Sequence, residues 1–157
     1  MKIAIGSDKS GYVLKEAIKQ YLKEKQIEFD DLGTIDINKV HPYFQVASDV
    51  AIKIQDATYD KAILICGTGA GMCIVSNKFK GVNAVVCEGV YSAKMARAIN
   101  GARVLCMGGW IIAPELGIQM VEAFLNTEYL QDLEEWRKTW LTNAAKEVVK
   151  IEEKNFN

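Results

Sequence analysis

Residues 61–71 constrain the fold more than any other stretch. Ala62-Ile63-Leu64-Ile65 is apolar at every position rather than at alternate ones, which suits a strand covered on both faces, as in a parallel sheet. A Gly-rich turn, Gly67 to Gly71, then leads into a helix that the pattern carries to about Phe79. Short apolar runs at 2–6, 27–30, 83–87 and 103–107 read as further strands. In 11–25, Val13, Leu14, Ala17, Ile18, Tyr21 and Leu22 recur at helical spacing while Lys15, Lys19 and Lys23 decorate another face. Helices are also expected over 43–55, 91–100, 114–125 (with Pro114 in its first turn) and 130–149. The order βαβαβαβαβα predicts a three-layer α/β fold built on a five-stranded parallel sheet.

A length of 157 residues fits one domain, 1–157. Lys plus Arg (19) nearly balances Asp plus Glu (20), so no broad field draws the chain to nucleic acid or an anionic membrane. No apolar run reaches the ~18–20 residues of a membrane span. The start, Met1 to Gly6, is too soon broken for an export signal. These readings predict a cytoplasmic protein without nucleic-acid or membrane partners. A single histidine, His41, rules out mechanisms that need two. The four cysteines, Cys66, Cys73, Cys87 and Cys106, form no Cys-x-x-Cys pair, which argues against a zinc ribbon or a thioredoxin-type site. All four are expected as free thiols.

In open parallel sheets the ligand crevice lies at the C-terminal ends of the strands. Those ends carry Ser7-Asp8-Lys9-Ser10-Gly11, Cys66-Gly67-Thr68-Gly69-Ala70-Gly71 and Gly108-Gly109. A sulfur where Cys66 stands faces the positive end of a helix dipole, which favours a thiolate able to act as nucleophile or base. The glycines around it bare backbone N–H groups that can hold an oxyanion. Thr68 adds a hydroxyl that can relay a proton. A structural cysteine before a tight turn would look the same, and the turn fits neither G-x-x-x-x-G-K-[ST] nor G-x-G-x-x-G. Asp8 can accept hydrogen bonds from sugar hydroxyls, and Lys9 can contact a phosphate beside a helix N-terminus; a helix cap and a solvated lysine are the plainer reading. His41, in a loop before Pro42, is a lesser candidate. Cys73, Cys87 and Cys106 are expected to pack as small hydrophobes. Trp110, Trp136 and Trp140 are expected to serve packing or an interface.

Taken together these pieces resemble one family, the ribose-5-phosphate isomerase B and galactose-6-phosphate isomerase family. The likeness covers nearly the whole chain. It is carried by KIAIGSDKSG at 2–11, by ILICGTGAGMCIVSNKFKG at 63–81, by Ala84-Val85-Val86-Cys87, by Tyr91-Ser92-Ala93, and by residues 100–108. The resemblance implies a Rossmann-like fold, no metal or organic cofactor, and interconversion of a phosphorylated aldose and ketose through an enediolate, with ribose 5-phosphate and ribulose 5-phosphate as the expected pair and galactose 6-phosphate or a tetrose phosphate as the alternative. It also implies a homodimer or higher oligomer whose sites are shared between subunits, with the C-terminal helix reaching the partner. By this likeness Cys66 is the base moving a proton between C1 and C2. Thr68 handles the oxygen-bound proton, and the backbone of Gly67, Gly69, Ala70 and Gly71 stabilises the enediolate. Asp8 and Asn100 bind sugar hydroxyls, and Arg137 is one of two arginines a neighbouring subunit offers to the phosphate.

The chain departs from the family pattern at several positions. Lys9 stands where ribose-type enzymes have His, though one galactose-6-phosphate isomerase subunit type has Lys. Ile99 replaces a histidine assigned to opening the sugar ring, and Leu133 replaces the first of the two arginines. His41 sits where Tyr is frequent. Three explanations compete. Another group such as His41 opens the ring; or the substrate is a four-carbon sugar phosphate that cannot close a five-membered ring; or a paralogous subunit supplies what is missing. A non-catalytic sugar-phosphate-binding subunit is the rival reading from another class.

Overall fold

The computed structural model describes residues 1–156. Its elements run β1 (Ile3–Ser7), α1 (Tyr12–Glu24), β2 (Phe29–Asp31), α2 (Tyr43–Gln55), β3 (Lys61–Cys66), α3 (Ala70–Ser76), β4 (Ala84–Val86), α4 (Val90–Ala98), β5 (Val104–Gly108), α5 (Pro114–Leu125) and α6 (Glu135–Asn155). The five strands form one parallel sheet in the order β2-β1-β3-β5-β4. This is the α/β architecture with a five-stranded parallel sheet expected from the alternating pattern, and the Rossmann-like fold that the resemblance implies.

The unbroken apolar runs follow from burial on both faces. Ile3, Ile5, Ile63, Ile65, Leu105 and Met107 point to one side, into a core with Leu14, Ile18 and Leu22 of α1, Ala93 and Ala96 of α4, and Met120, Val121 and Phe124 of α5. Ala4, Ala62, Leu64, Cys66, Val104 and Cys106 point to the other, against Val46, Ala47, Val50, Ala51 and Ile54 of α2 and Met72 of α3. Successive strand residues face opposite ways, so Cys66 lies on the α2/α3 side.

The last helix differs from expectation. It starts at Glu135 rather than 130 and runs on to Asn155. Leu130 and Asp132 have φ of 65° and 57°, a left-handed conformation that cannot belong to a right-handed helix. The helix also stands apart from the body. Leu141 is its one buried side chain among the described residues, worth ~1.5–3 kcal/mol, while Trp136, Trp140, Val148, Val149 and Ile151 stay exposed. The helix after the Gly-rich turn stops at Ser76 instead of Phe79. The Asn77 side chain there turns to β4, its amide donating to the Ala84 carbonyl (2.8 Å) and its oxygen accepting from the Ala84 N–H (2.9 Å). No helix among the described residues is long and apolar enough to cross a membrane.

Candidate active site

Three loops meet where β1, β3 and β5 end. The Asp8 N–H donates to the Ile65 carbonyl (3.3 Å), the Gly109 N–H to Cys66 (2.7 Å) and the Trp110 N–H to Gly67 (3.0 Å). These bonds carry the strand register into the loops and fix the three backbones relative to one another. The turn tolerates the crowding because of its glycines. Gly69 has φ +78°, and a Cβ there would lie 2.8 Å from the Met107 carbonyl carbon, so both its conformation and its space exclude a side chain.

Cys66 is 5% exposed at the bottom of this junction. Its Sγ accepts a hydrogen bond from the Gly69 N–H at 3.2 Å. The helix behind it, α3, is only seven residues long, so this one aimed amide is the local donor that the geometry offers. Thr68 is exposed, and its Oγ1 accepts from the Ala70 N–H at 3.4 Å. The amides of Thr68 and Gly71 have no partner among the described residues, as expected of N–H groups leading into a helix. Asp8 is half-buried and uses Oδ1 to accept from the Gly11 N–H (3.0 Å), which leaves Oδ2 available. Lys9 is exposed and makes no ion pair among the described residues. Asp8, Lys9, Cys66, Thr68 and the turn are thus brought together.

His41 arrives on the loop between β2 and α2. Lys15, fully buried, anchors that loop by donating from Nζ to Asp31 Oδ2 (2.5 Å) and to the Thr34 carbonyl (2.6 Å). Thr34 Oγ1 in turn accepts from the His41 N–H (3.0 Å). The loop ends by laying the Tyr43 ring on Gly71, where a Cβ would come within 2.8 Å of it. His41 itself is exposed.

Asn100 and Arg137 are not brought to Cys66 within the chain. Asn100 lines a depression of about 540 Å³ together with Asp60, Lys61 and Arg103, at the N-terminal ends of the strands. β3 alone separates that edge from Cys66 by ~17 Å. Arg137 lies in the first turn of α6, paired with Glu134 (3.5 Å) and set over the Trp136 ring (5.1 Å). The bonds that tie α6 to the body run to Tyr129 and to Gly81, on that same far side. The cations of the depression already have partners: Lys61 the Leu125 carbonyl, Arg97 the Ala102 carbonyl and Glu128, and Arg103 the carbonyls of Tyr59 and Asp60.

Reading the sequence alone missed two kinds of residue. Trp110 and Tyr43 cap the two ends of the turn, Trp110 by resting its indole on Gly67. Cys73 is half-buried rather than a plain core thiol. Its hydrogen bond with the Cys106 thiol, helped by the Asn77 amide, pulls its pKa down to about 7. The same contact, with full burial, pushes Cys106 well up, and burial pushes Cys87 up. The signal for both was spatial: α3 packs across β5, which no local spacing shows.

Comparison with known proteins decides the family. The model of the ribose/galactose isomerases matches residues 3–139. The chain belongs to the ribose/galactose isomerase family. It is 53% identical over 153 residues to a 4-deoxy-4-sulfo-D-erythrose isomerase of Clostridium sp. (strain MSTE9), covering 98% of this chain and 96% of that one. It is 39% identical over 129 residues to a D-erythrulose-4-phosphate isomerase of Pectobacterium atrosepticum, covering 82% and 85%. A solved structure of Clostridium thermocellum ribose-5-phosphate isomerase B superposes with a TM-score of 0.87 at 34% identity, covering 98% of this chain and 99% of that one. As a member of the ribose/galactose isomerase family the chain is an aldose–ketose isomerase.

Proposed function

We propose that the chain interconverts a four-carbon aldose and its 2-ketose, both bearing an anion on C4. A 4-deoxy-4-sulfo-erythrose is the preferred substrate and a tetrose 4-phosphate the second. The observation that carries this reading is Ile99, an alkyl side chain next to Asn100 where the resemblance calls for a ring-opening acid. An aldotetrose closes a five-membered ring only through O4. When C4 bears a sulfonate, or O4 a phosphate, the sugar stays open and needs no proton donor to open it. The similarity to a sulfo-erythrose isomerase and to an erythrulose-4-phosphate isomerase points the same way.

The chemistry follows from the turn. Cys66 Sγ removes the proton from C2 and returns it at C1. The charge that develops on oxygen is met by backbone amides of the turn Gly67, Gly69, Ala70 and Gly71, in which the N–H groups of Thr68 and Gly71 carry no other partner among the described residues. The Thr68 hydroxyl passes the oxygen-bound proton between O1 and O2. Asp8 Oδ2 accepts from a sugar hydroxyl, and His41 contributes at the rim. No step calls for a metal or organic cofactor.

Lys9 of the same chain holds the tail together with Arg137 of a second copy, and that copy's Asn100 binds a sugar hydroxyl. Their position at the far end of the sheet, on and beside an exposed α6, supports a homodimer or higher oligomer built from single-domain chains. A sulfonate carries one negative charge, whereas a phosphate monoester carries ~1.5–2. Leu133 in place of an arginine therefore suits the sulfonate better, because one cation fewer is needed to balance it.

Incubating the wild-type enzyme with the sulfo-tetrose in D2O and following it by NMR tests the reaction. The proposal expects ketose formation with deuterium entering at carbon, and a kcat at least ~100-fold lower in Cys66→Ala, the low end for a general base. Binding without exchange would make the chain a non-catalytic subunit, and near-normal turnover of the variant would remove Cys66 from its role.

A further inference from the structure

Trp110 is 74% exposed, an unusual state for a side chain with so much apolar surface. It is nonetheless not free to wander. Its backbone N–H is bound to the Gly67 carbonyl (3.0 Å), and the preceding Gly109 N–H to Cys66 (2.7 Å). The six-membered part of the indole lies on Gly67, so that a Cβ at that position would come within 2.8–2.9 Å of three ring carbons. Gly109 also backs onto the loop that carries Lys9, where its own Cβ would meet the Gly11 Cα at 3.0 Å. The segment 108–110 is thus wedged between the turn that holds Cys66 and the loop that holds Lys9. At the far end of the turn Tyr43, 41% exposed, lies on Gly71 in the same manner. One face of each ring covers a glycine of the turn.

We propose that Trp110 is a specificity-determining residue, a rigid apolar wall between the proton-transfer centre and the anion-binding lysine that sets how long a sugar the site accepts. A chain whose carbonyl end lies at the turn and whose anion lies at Lys9 must pass this wall. The indole packs against the C–H face of the short sugar and displaces the extra carbon of a longer one. This inference rests on the reading of the turn as the reacting centre. It adds a reason, independent of Ile99, for the preference for four carbons.

The test compares kcat/KM for erythrose 4-phosphate and ribose 5-phosphate in wild type, Trp110→Ala and Trp110→Phe, with light scattering to record the oligomeric state. Shortening an exposed side chain leaves the core intact, and the Phe variant keeps an aromatic plate. Trp110→Ala is expected to raise the ratio of five-carbon to four-carbon kcat/KM at least ~10-fold, the scale on which a pocket discriminates by one carbon. Trp110→Phe is expected to stay within ~3-fold of wild type. An unchanged ratio in an active Ala variant overturns the inference alone. An equal loss on both substrates accompanied by dissociation of the oligomer also overturns it, assigning the indole to an interface. A wild type inactive on every sugar would instead overturn the reading of the turn, and this inference with it.

Discussion

Replacing Gly69 by alanine separates two ways in which the turn after β3 depends on glycine. Gly69 and Gly81 have nearly the same backbone, φ +78° and +75°, but different surroundings. Around Gly81 nothing lies within 4 Å of the missing Cβ, whereas at Gly69 the added carbon would lie 2.8–3.0 Å from the Met107 backbone. Forcing an L-residue into the left-handed region costs ~1–2 kcal/mol at either site. The collision at Gly69 is with a buried central strand that cannot move aside, adding ~1–3 kcal/mol. Gly81→Ala should therefore lower stability by ~1–2 kcal/mol and Gly69→Ala by ~2–5 kcal/mol. In a chain of this size that difference corresponds to an extra ~2–12 °C in melting temperature. The second consequence is chemical, because the Gly69 N–H is the donor to Cys66 Sγ. Tilting that peptide should lower kcat ~10–100-fold in the fraction still folded, by analogy with the loss of an aimed donor, while Gly81→Ala should leave kcat unchanged. Thermal melts and steady-state rates on both variants decide it. Equal destabilisation of the two would refute the argument from space, and unaltered kcat in Gly69→Ala would refute the argument from the amide.

Further outcomes follow from other parts of the molecule. Alkylation of Cys73 by iodoacetamide should accelerate through a midpoint near pH 7, because its thiolate fraction rises as pH passes a pKa lowered to about 7. Cys106, held protonated, should react only on unfolding, as peptide mass spectrometry would show. Lys15→Met leaves the Asp31 carboxylate with Lys19 as its remaining close cation (2.8 Å). It should cost ~3 kcal/mol in a denaturant titration and raise KM by loosening the loop that lays Tyr43 on Gly71. Mixing equal amounts of inactive Cys66→Ala and Arg137→Ala chains, after partial unfolding and refolding, should restore about a quarter of wild-type activity if each site draws on two copies of a C2 pair; no recovery would place both residues in one chain's site.

The parts of the fold visible in the sequence were those fixed by local chemistry. The continuous apolar run of β3 shows its double burial, and α2 and α5 begin and end where expected because Pro42 and Pro114 mark their starts. The start of α6 was misplaced because nothing local distinguishes Leu130 and Asp132 as left-handed residues. The Gly-rich turn and Asp8 were legible as strand-end motifs, and the parallel sheet brings the two together. The separation of Asn100 from Cys66 could have been read as well: α4 returns antiparallel to the strands, so its last turn must lie at the edge where β5 begins. The rings on Gly67 and Gly71 and the Cys73–Cys106 pair could not, since each joins segments through packing across elements rather than through spacing along the chain.

The comparison that bears most directly on what this enzyme acts upon is a side-by-side measurement of kcat/KM on 4-deoxy-4-sulfo-erythrose, erythrose 4-phosphate, ribose 5-phosphate and galactose 6-phosphate. The account predicts the largest value for a four-carbon sugar, with the sulfonate ahead of the phosphate. A clear preference for ribose 5-phosphate or galactose 6-phosphate, sugars that reach the enzyme mostly as closed rings, would contradict it.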